Sequence, residues 1–540
     1  MGSSSWWLRA ACSAAALAAA VAAASCGSSS GAANFGAGTG GGSSPGPSGS
    51  SSGGSGSSSG ALAGDDGGGP PEAKNEGNYR SPVATGQYVW ITNPTSGRVA
   101  YIQASTLQVA TVAAGNGPTY LAAVPGSADA AIVLNVLSSD ATLLTASNGS
   151  LTTRTFPVAG DANAWAVSGD GHWAIAWASS SQVKNPDPTQ GFQDVSALDL
   201  TGQKPPTILA VGYRPVTMAF ASDGSRAFAV TQDGVSVIDL TGSAPLVTAN
   251  FPVSTDPNDD PGTRDVSITP DGAYALVRRD GQAAITVVAL SDGTLTTVTL
   301  PADATDLTLT PAGDAALVVM RDIATVAVLP LPQIATSPAT FTLIPIAGQT
   351  VGRAIVAADG KTTLLFTTVL PVDLLTVLDL PTQAFRTVKL YAPLGAVFPT
   401  LDAKNAVVLH TQASDAGIGS KGAFSVVPVA AQLPAKIVGT DAPPNAVALS
   451  PAGDRALVTA RDDAGQVYEA FLAKMPSLEV DKYTLASPPI AAGVVAGANR
   501  AYVAQSNPEG RITFIDLGTG QARTLTGFEL GSRVVDGSQP

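Results

Sequence analysis

The chain reads as an all-β protein, a β-propeller of four-stranded blades, and three observations carry that reading. A strand–turn–strand segment recurs, most plainly at residues 265–277, with further versions at 217–230, 306–318, 353–366 and 446–458 and a weaker one at 163–175. Hydrophobic residues make up 45% of the chain and charged residues 13%, with Val, Thr, Ala, Gly and Pro abundant; that balance suits many short strands joined by tight turns. Between residues 87 and 530 about ten units follow one another at a period of about 44 residues, the spacing of four short strands per propeller blade.

Taken in order, residues 1–25 have the form of an export signal. Arg9 is the one positive charge in the first ten residues, and the Ala-rich run at 11–25 has the length of a signal core, too short for an ordinary membrane span. The run ends Ala23, Ala24, Ser25, Cys26, Gly27, which resembles a bacterial lipobox, although Ala23 stands where that motif more often has Leu. The resemblance implies lipidation of Cys26, an N-terminal lipid as the contact with a membrane, and a bacterial cell-envelope address, with Gly27 pointing to the outer membrane. The competing reading is an ordinary signal peptide cut at an Ala-x-Ala site. The chain has two cysteines, Cys12 inside the apolar run and Cys26. Cleavage before Cys26 leaves that residue first in the mature chain with no disulfide partner.

Residues 26–80 are almost entirely Gly, Ser, Pro, Ala and Asp. With next to nothing apolar to bury, they cannot offset the cost of ordering a backbone. The stretch is expected to be a tether with a mean reach of roughly 40 Å. Its Gly-x-Ser-x-Gly spacings follow from composition, because a nucleophile elbow needs a strand before it and a helix after it.

Residues 81–540 form the repeat domain. The first unit offers three strands, at 88–91, 99–103 and 107–112, and lacks a clear innermost strand; residues 532–536 are a candidate to supply it from the far terminus. The fifth unit offers four, at 266–269, 273–277, 284–290 and 295–300, and later units begin near residues 306, 353, 395, 446 and 490. Counting back from the turn glycine, the positions four and six residues earlier are apolar, as in Phe220 and Met218, Ile268 and Val266, or Leu309 and Leu307. The position between them is mostly small, with Ile355 the exception: Ala219, Ser267, Thr308, Ile355, Ala448, Ala166. Side chains alternate faces along a strand, so the expectation is a greasy face packed into the blade and small residues crowding a central channel. No Gly/Ser-rich break divides the array, which favours one large ring over two tandem rings.

The units resemble YVTN-type β-propeller repeats, relatives of the WD40 architecture. The carrying residues are the Pro270, Asp271, Gly272 turn with the strand after it, and the stretch Phe514, Ile515, Asp516, Leu517, Gly518, Thr519, Gly520, echoed at Val237–Leu240 and Val377–Leu380. Turns at 311–314 and 451–454 depart from the pattern by placing Asp after the Gly, and the eighth unit has only residues 402–405 there. The resemblance implies a fold and is silent on activity.

The net charge of −13 argues against a nucleic-acid partner, which needs a concentrated basic surface. His172 and His410 lie in separate units with no ligand cluster around them, and read as ordinary turn or strand residues. Asp256, Asn258 and Asp260 alternate as oxygen ligands do in a calcium loop. The Gly falls one position late, however, and Ser267 stands where a bidentate Glu would be, so a solvated loop is the expectation and no cofactor is assigned. Long connections at 180–194, 254–264, 412–422 and 461–466 all emerge on one propeller face. Arg264, Asp265, Asp306 and Arg353, at the starts of innermost strands, are expected to ring the channel mouth on that face beside Asp256, Asn258 and Asp260.

The function the sequence favours is a cell-envelope lipoprotein whose propeller binds a protein or glycan through this loop face, without catalysis. Two alternatives stay open. One is a propeller hydrolase or lactonase built on Asp256, Asp259, Asp260, Asp265 and Asp306; the other is a structural surface-layer component.

Overall fold

Each recurring segment closes as an antiparallel hairpin whose register follows its alternation. In the fifth unit, strand Arg264–Ile268 pairs with Tyr274–Arg279, placing Val266 opposite Val277 and Ser267 opposite Leu276. The turn between them is held by side chains. The Thr269 hydroxyl donates to the Asp271 carboxylate (2.6 Å) and accepts from the Tyr274 N–H (3.0 Å), while Asp271 also accepts from the Ala273 N–H (2.9 Å). The irregular turns reach the same closure by other routes. Asp314 and Asp454 follow the glycine, yet their carboxylates return to Thr310 (2.6 Å) and Ser450 (2.8 Å). In the eighth unit Ala403 takes the left-handed position at φ 57°, and Thr400 donates to Asp402 (2.6 Å). Gly272 sits at φ +66°, and a Cβ there would strike the Phe228 ring of the preceding unit. Gly272→Ala is therefore expected to lower stability by about 2 kcal/mol, read as a shifted urea midpoint at unchanged slope.

The structure, a computed structural model, describes residues 82–528 except 128, 148–149, 181–182, 184–186, 188, 257–259, 391, 412–419, 476 and 508. The signal segment 1–25, Cys26, the tether 26–80, Asn258, Asp259 and residues 532–536 lie outside the described residues.

Ten four-stranded antiparallel sheets follow one another, each ordered along the chain from innermost to outermost strand. The innermost strands are Val83–Ala84, Pro118–Ala123, Ala164–Val167, Pro215–Phe220, Arg264–Ile268, Asp306–Leu309, Arg353–Val356, Leu394–Pro399, Pro444–Leu449 and Pro489–Val495, which open blades 1 to 10. The last blade packs on the first, so the array is one ring. Ala84, Val89 and Ile91 of blade 1 share a buried cluster with Val495, Tyr502 and Phe514 of blade 10.

Two expectations change. The small residues of the innermost strands do not simply face a channel, because each blade is covered by a neighbour on both sides. Met218 and Phe220 pack with Trp165 and Trp177 of the preceding blade, while Ala219 packs with Val266 and Ile268 of the following one. Val447 and Leu449 likewise pack back onto Val407 and Phe424, and Ala448 forward onto Ala492 and Val494. The small side recurs because the next blade's larger side chains occupy that space.

The second change concerns blade 1. Its innermost strand comes from its own N-terminal side, Val83 and Ala84 pairing with Trp90 and Val89, and not from residues 532–536. The ring is joined across blades 10 and 1 by hydrogen bonds instead. The Tyr502 hydroxyl donates to the Pro82 carbonyl (2.8 Å), the Gly497 N–H to the Gly86 carbonyl (2.9 Å), and the Arg500 guanidinium to the Ala104 carbonyl (2.7 Å).

Candidate functional site

Antiparallel order within a blade puts the connection between second and third strands on the same face as the connection from the outermost strand to the next blade. The loops after Trp173–Trp177, Asn405–His410 and Arg455–Asp462 emerge there, as does the segment leading into Arg264–Ile268. The opposite face is made of the closed turns described above. The loop face is thus where irregular backbone, charged residues and the channel mouth coincide.

Within it, the charged residues singled out in the sequence are mostly engaged with the fold. Asp260 caps the 3₁₀ turn Pro261–Thr263, its carboxylate accepting from the Gly262 N–H at 2.8 Å. The Asp256 N–H donates to the Ser254 hydroxyl (3.1 Å). Arg264 reaches back to blade 4 and donates to the carbonyls of Gln232 (2.6 Å) and Thr231 (3.2 Å). Asp265 accepts two bonds from Arg278, which stands opposite it in the ladder (2.5 and 3.1 Å). Arg278 is buried and also donates to Asp280 (2.7 Å) and to the Ala304 carbonyl at the entrance to blade 6 (3.1 Å). Asp306 is buried as well, and its carboxylate accepts from the Ala354 N–H of blade 7 at 2.9 Å. Beside it the Thr305 hydroxyl donates to the Gly352 carbonyl (2.8 Å). Blades 4 to 7 are riveted to one another by the residues expected at the channel mouth.

Arg353 borders space of a different kind. It lies over the Phe366 ring, 5.7 Å from the centroid, at one end of a cavity of about 290 Å³ lined also by Ile355, Val397, Phe398 and Leu449. The cavity runs along the inner strands of blades 7 to 9, with apolar walls and this one charged residue. The sequence reading named Arg353 and missed the aromatic residues Phe366 and Phe398, which look like any other strand residues in an alternating pattern.

A second charged group on the loop face joins blades 8 and 9. Lys482 bonds both Glu469 (2.6 Å) and Asp441 (2.7 Å), and Lys421 bonds Asp462 (2.8 Å). Glu469 is buried, so the Lys482 ammonium supplies the opposite charge it needs.

The two histidines are far apart in role. His172 lies in a turn, exposed, with its Nδ1 3.2 Å from Asp170. His410 is buried on its strand, with Nε2 2.7 Å from the Ser425 hydroxyl and Nδ1 3.3 Å from the Pro393 carbonyl. Ser425 is fully buried and closed to a substrate. Burial pushes the His410 pKa below the ordinary histidine value. A lowered folded pKa means the unfolded chain binds the proton first. The stability from a neutral His410 is complete above the ordinary value and is lost as pH falls through the folded one. His410→Gln is expected to flatten the acid limb of a stability–pH curve below about pH 6.5; a limb of unchanged slope would contradict this.

Among the described residues no group of three or more His, Cys, Asp or Glu stands close enough to hold a metal ion. No helix among them is long and apolar enough to cross a membrane.

No protein-family model matches the chain, and no curated protein matches it. Among solved structures the chain is similar to one described as a eukaryotic initiation factor, with TM-score 0.49 and 11% identity over 72% of this chain and 93% of that one. It is similar also to the dihydro-heme d1 dehydrogenase NirN in complex with DHE, at TM-score 0.41 and 14% identity over 76% of each chain. A third is the Cps50 (Swd1) β-propeller domain of Myceliophteria thermophila, at TM-score 0.32 and 14% identity, covering 57% of this chain and 94% of that one. None reaches a TM-score of 0.5, and the ten-blade ring rests on its own hydrogen-bond ladders.

Proposed function

We propose that the chain is a cell-envelope lipoprotein that holds a YVTN-type propeller on its Gly/Ser-rich N-terminal segment and binds a protein or glycan through the loop face, without catalysis. The observation that carries the binding role is the asymmetry of the ring. Its turn face is spent on closed, side-chain-locked turns, whereas its loop face gathers the long connections, the Lys482 and Lys421 ion pairs and the Arg353 guanidinium, which borders the cavity along the inner strands. Large apolar side chains also stand exposed on that face, Leu137, Val216 and Leu370 among them. The repeat type is supported by Asp239 and Asp516. Each ends the third strand of its blade and accepts backbone N–H groups of the next turn, from Thr241 (2.8 Å) and from Gly518 and Thr519 (3.0 and 2.8 Å). Lipidation at Cys26, and with it the outer-membrane address, rests on the sequence around that residue.

The test is a crosslinking pull-down from intact cells with the full chain, beside Cys26→Ala and a Val216→Glu/Leu370→Glu pair. Membrane fractionation should lose the Cys26→Ala form, and the double variant should lose the captured partner while remaining folded. Capture that is indifferent to both loop-face changes would overturn the binding surface. A Cys26→Ala form still in the membrane fraction would overturn the anchor.

A further inference from the structure

The rim of the ring carries a second surface, distinct from the loop face. Each blade ends in an outermost strand, and among the described residues no fifth strand pairs with any of them. Open strand edges template pairing with other chains, and soluble proteins usually blunt them with charge, proline or cover. Here the blunting is uneven. The outer strand Ala384–Lys389 of blade 7 carries Arg386 and Lys389. That of blade 9, Glu479–Thr484, carries Glu479, Asp481 and Lys482, and that of blade 10, Ala522–Thr526, carries Arg523. By contrast the outer strands Thr207–Ala210 of blade 3 and Leu246–Phe251 of blade 4 contain no charged residue and no proline.

These two strands are neighbours on the ring and both expose large apolar side chains, Ile208 at 58% and Leu246 at 61%. The next uncharged edge, Leu295–Thr299 of blade 5, is different. The short helix Gln333–Thr336 of blade 6 packs beside it, and Thr296 donates to the Ala335 carbonyl at 2.7 Å. Blade 1's outer strand Gln108–Ala113 is uncharged too, but Val109 there is 39% exposed and its neighbours on the ring carry Arg154 and Arg523. The open, uncharged edge shared by two adjacent blades belongs to blades 3 and 4.

We propose that the outer strands of blades 3 and 4 form a self-association edge, each pairing antiparallel with the same edge of a second copy of this chain. Charge selects this occupant. The chain carries a net −13, so two copies repel wherever acidic surfaces meet. Along these two strands, contact brings no like charges together and buries Ile208 and Leu246. Antiparallel pairing also lets one edge serve as its own complement about a twofold axis. Ladder bonds would satisfy the free N–H and C=O groups of both edges, as strand addition does elsewhere.

The test is sedimentation velocity of the full chain carrying Cys26→Ala, over a wide range of loading concentration. Against it stand Ile208→Lys/Leu246→Lys, which charges this sector, and Thr484→Lys/Ala522→Lys, which places equal charge on exposed positions of blades 9 and 10. The parent and the control pair are expected to form dimers or larger species at the same concentrations, with the Ile208/Leu246 pair weakened about tenfold or more. Association through residues 1–80 is common to all three forms and cancels. A parent that stays monomeric throughout overturns the proposal, and so does association that the two rim lysines leave unchanged. Matching thermal midpoints show that the variants remain folded.

Discussion

Replacing Arg278 by alanine is expected to destabilise the ring by about 3 kcal/mol, the scale of breaking a buried ion pair from one side. The guanidinium stands between Asp265 and Asp280 and also holds the Ala304 carbonyl of the next blade's entrance. Burial opposes its charge, but Asp265, and after it Asp280, outweigh that and hold the group above the ordinary arginine range. Removing it leaves the Asp265 carboxylate without that partner and opens a void at the blade 5–6 junction. The cost is assigned to the Asp265 carboxylate losing this cation rather than to lost packing alone, and this can be checked separately. Arg278→Met should be nearly as harmful as Arg278→Ala, and adding Asp265→Asn to Arg278→Met should recover part of the loss. Urea unfolding of the three forms measures it. A loss below about 1 kcal/mol for Arg278→Ala, or no recovery from Asp265→Asn, would mean that the cluster is solvated and of little consequence.

That cluster also shows what was legible beforehand. Asp265 was visible in the sequence as a charge at the start of an innermost strand, and it lies in the strand Arg264–Ile268. Its partner was not sought, because a functional reading of an exposed carboxylate does not ask which cation shares its ladder rung. The pair Arg278 and Arg279 at the end of an apolar strand was the available signal. Two guanidiniums there must be matched by acceptors, and Arg279 indeed donates to the Val253 carbonyl at 2.9 Å. Asp306 teaches the same point, since the residue expected to face a ligand faces the Ala354 N–H.

The repeat itself was far easier to read than the site. Alternation of period two and a turn every few residues are local properties, and they located blades 6, 7, 9 and 10 to within a few residues of where their strands begin. The ring closure and the Arg353 cavity depend on residues hundreds of positions apart, or on neighbouring blades, and no local pattern encodes them. The turns at 311–314 and 451–454 fall between these cases. Their departure from the repeat was plain in the sequence, and their equivalence appeared only once the carboxylates of Asp314 and Asp454 were seen to reach the same hydroxyl position.

The other large effect is expected at the junction of blades 10 and 1, where Tyr502 acts as a bolt. Its side chain is fully buried, tilted against Phe514 at 6.4 Å, and its ring fills the space above Gly493, where a Cβ would strike it. Burial pushes its hydroxyl far above the ordinary tyrosine range, so it stays a donor to the Pro82 carbonyl at any working pH. Tyr502→Ala should cost about 3–5 kcal/mol through the cavity it leaves. Tyr502→Phe, which keeps the ring and abandons one buried carbonyl, should cost about 1–2 kcal/mol. Location matters more here than magnitude. Nine of the ten junctions are also joined covalently by the chain, whereas this one has only packing and hydrogen bonds, so it should open first when loosened. Hydrogen exchange in Tyr502→Phe should therefore rise first along Val83–Ala84 and Tyr88–Asn93, with Tyr274–Arg279 of blade 5 protected as before. Faster exchange spread evenly over all blades would show that the ring unfolds as one unit and that closure at this junction is no weaker than the rest.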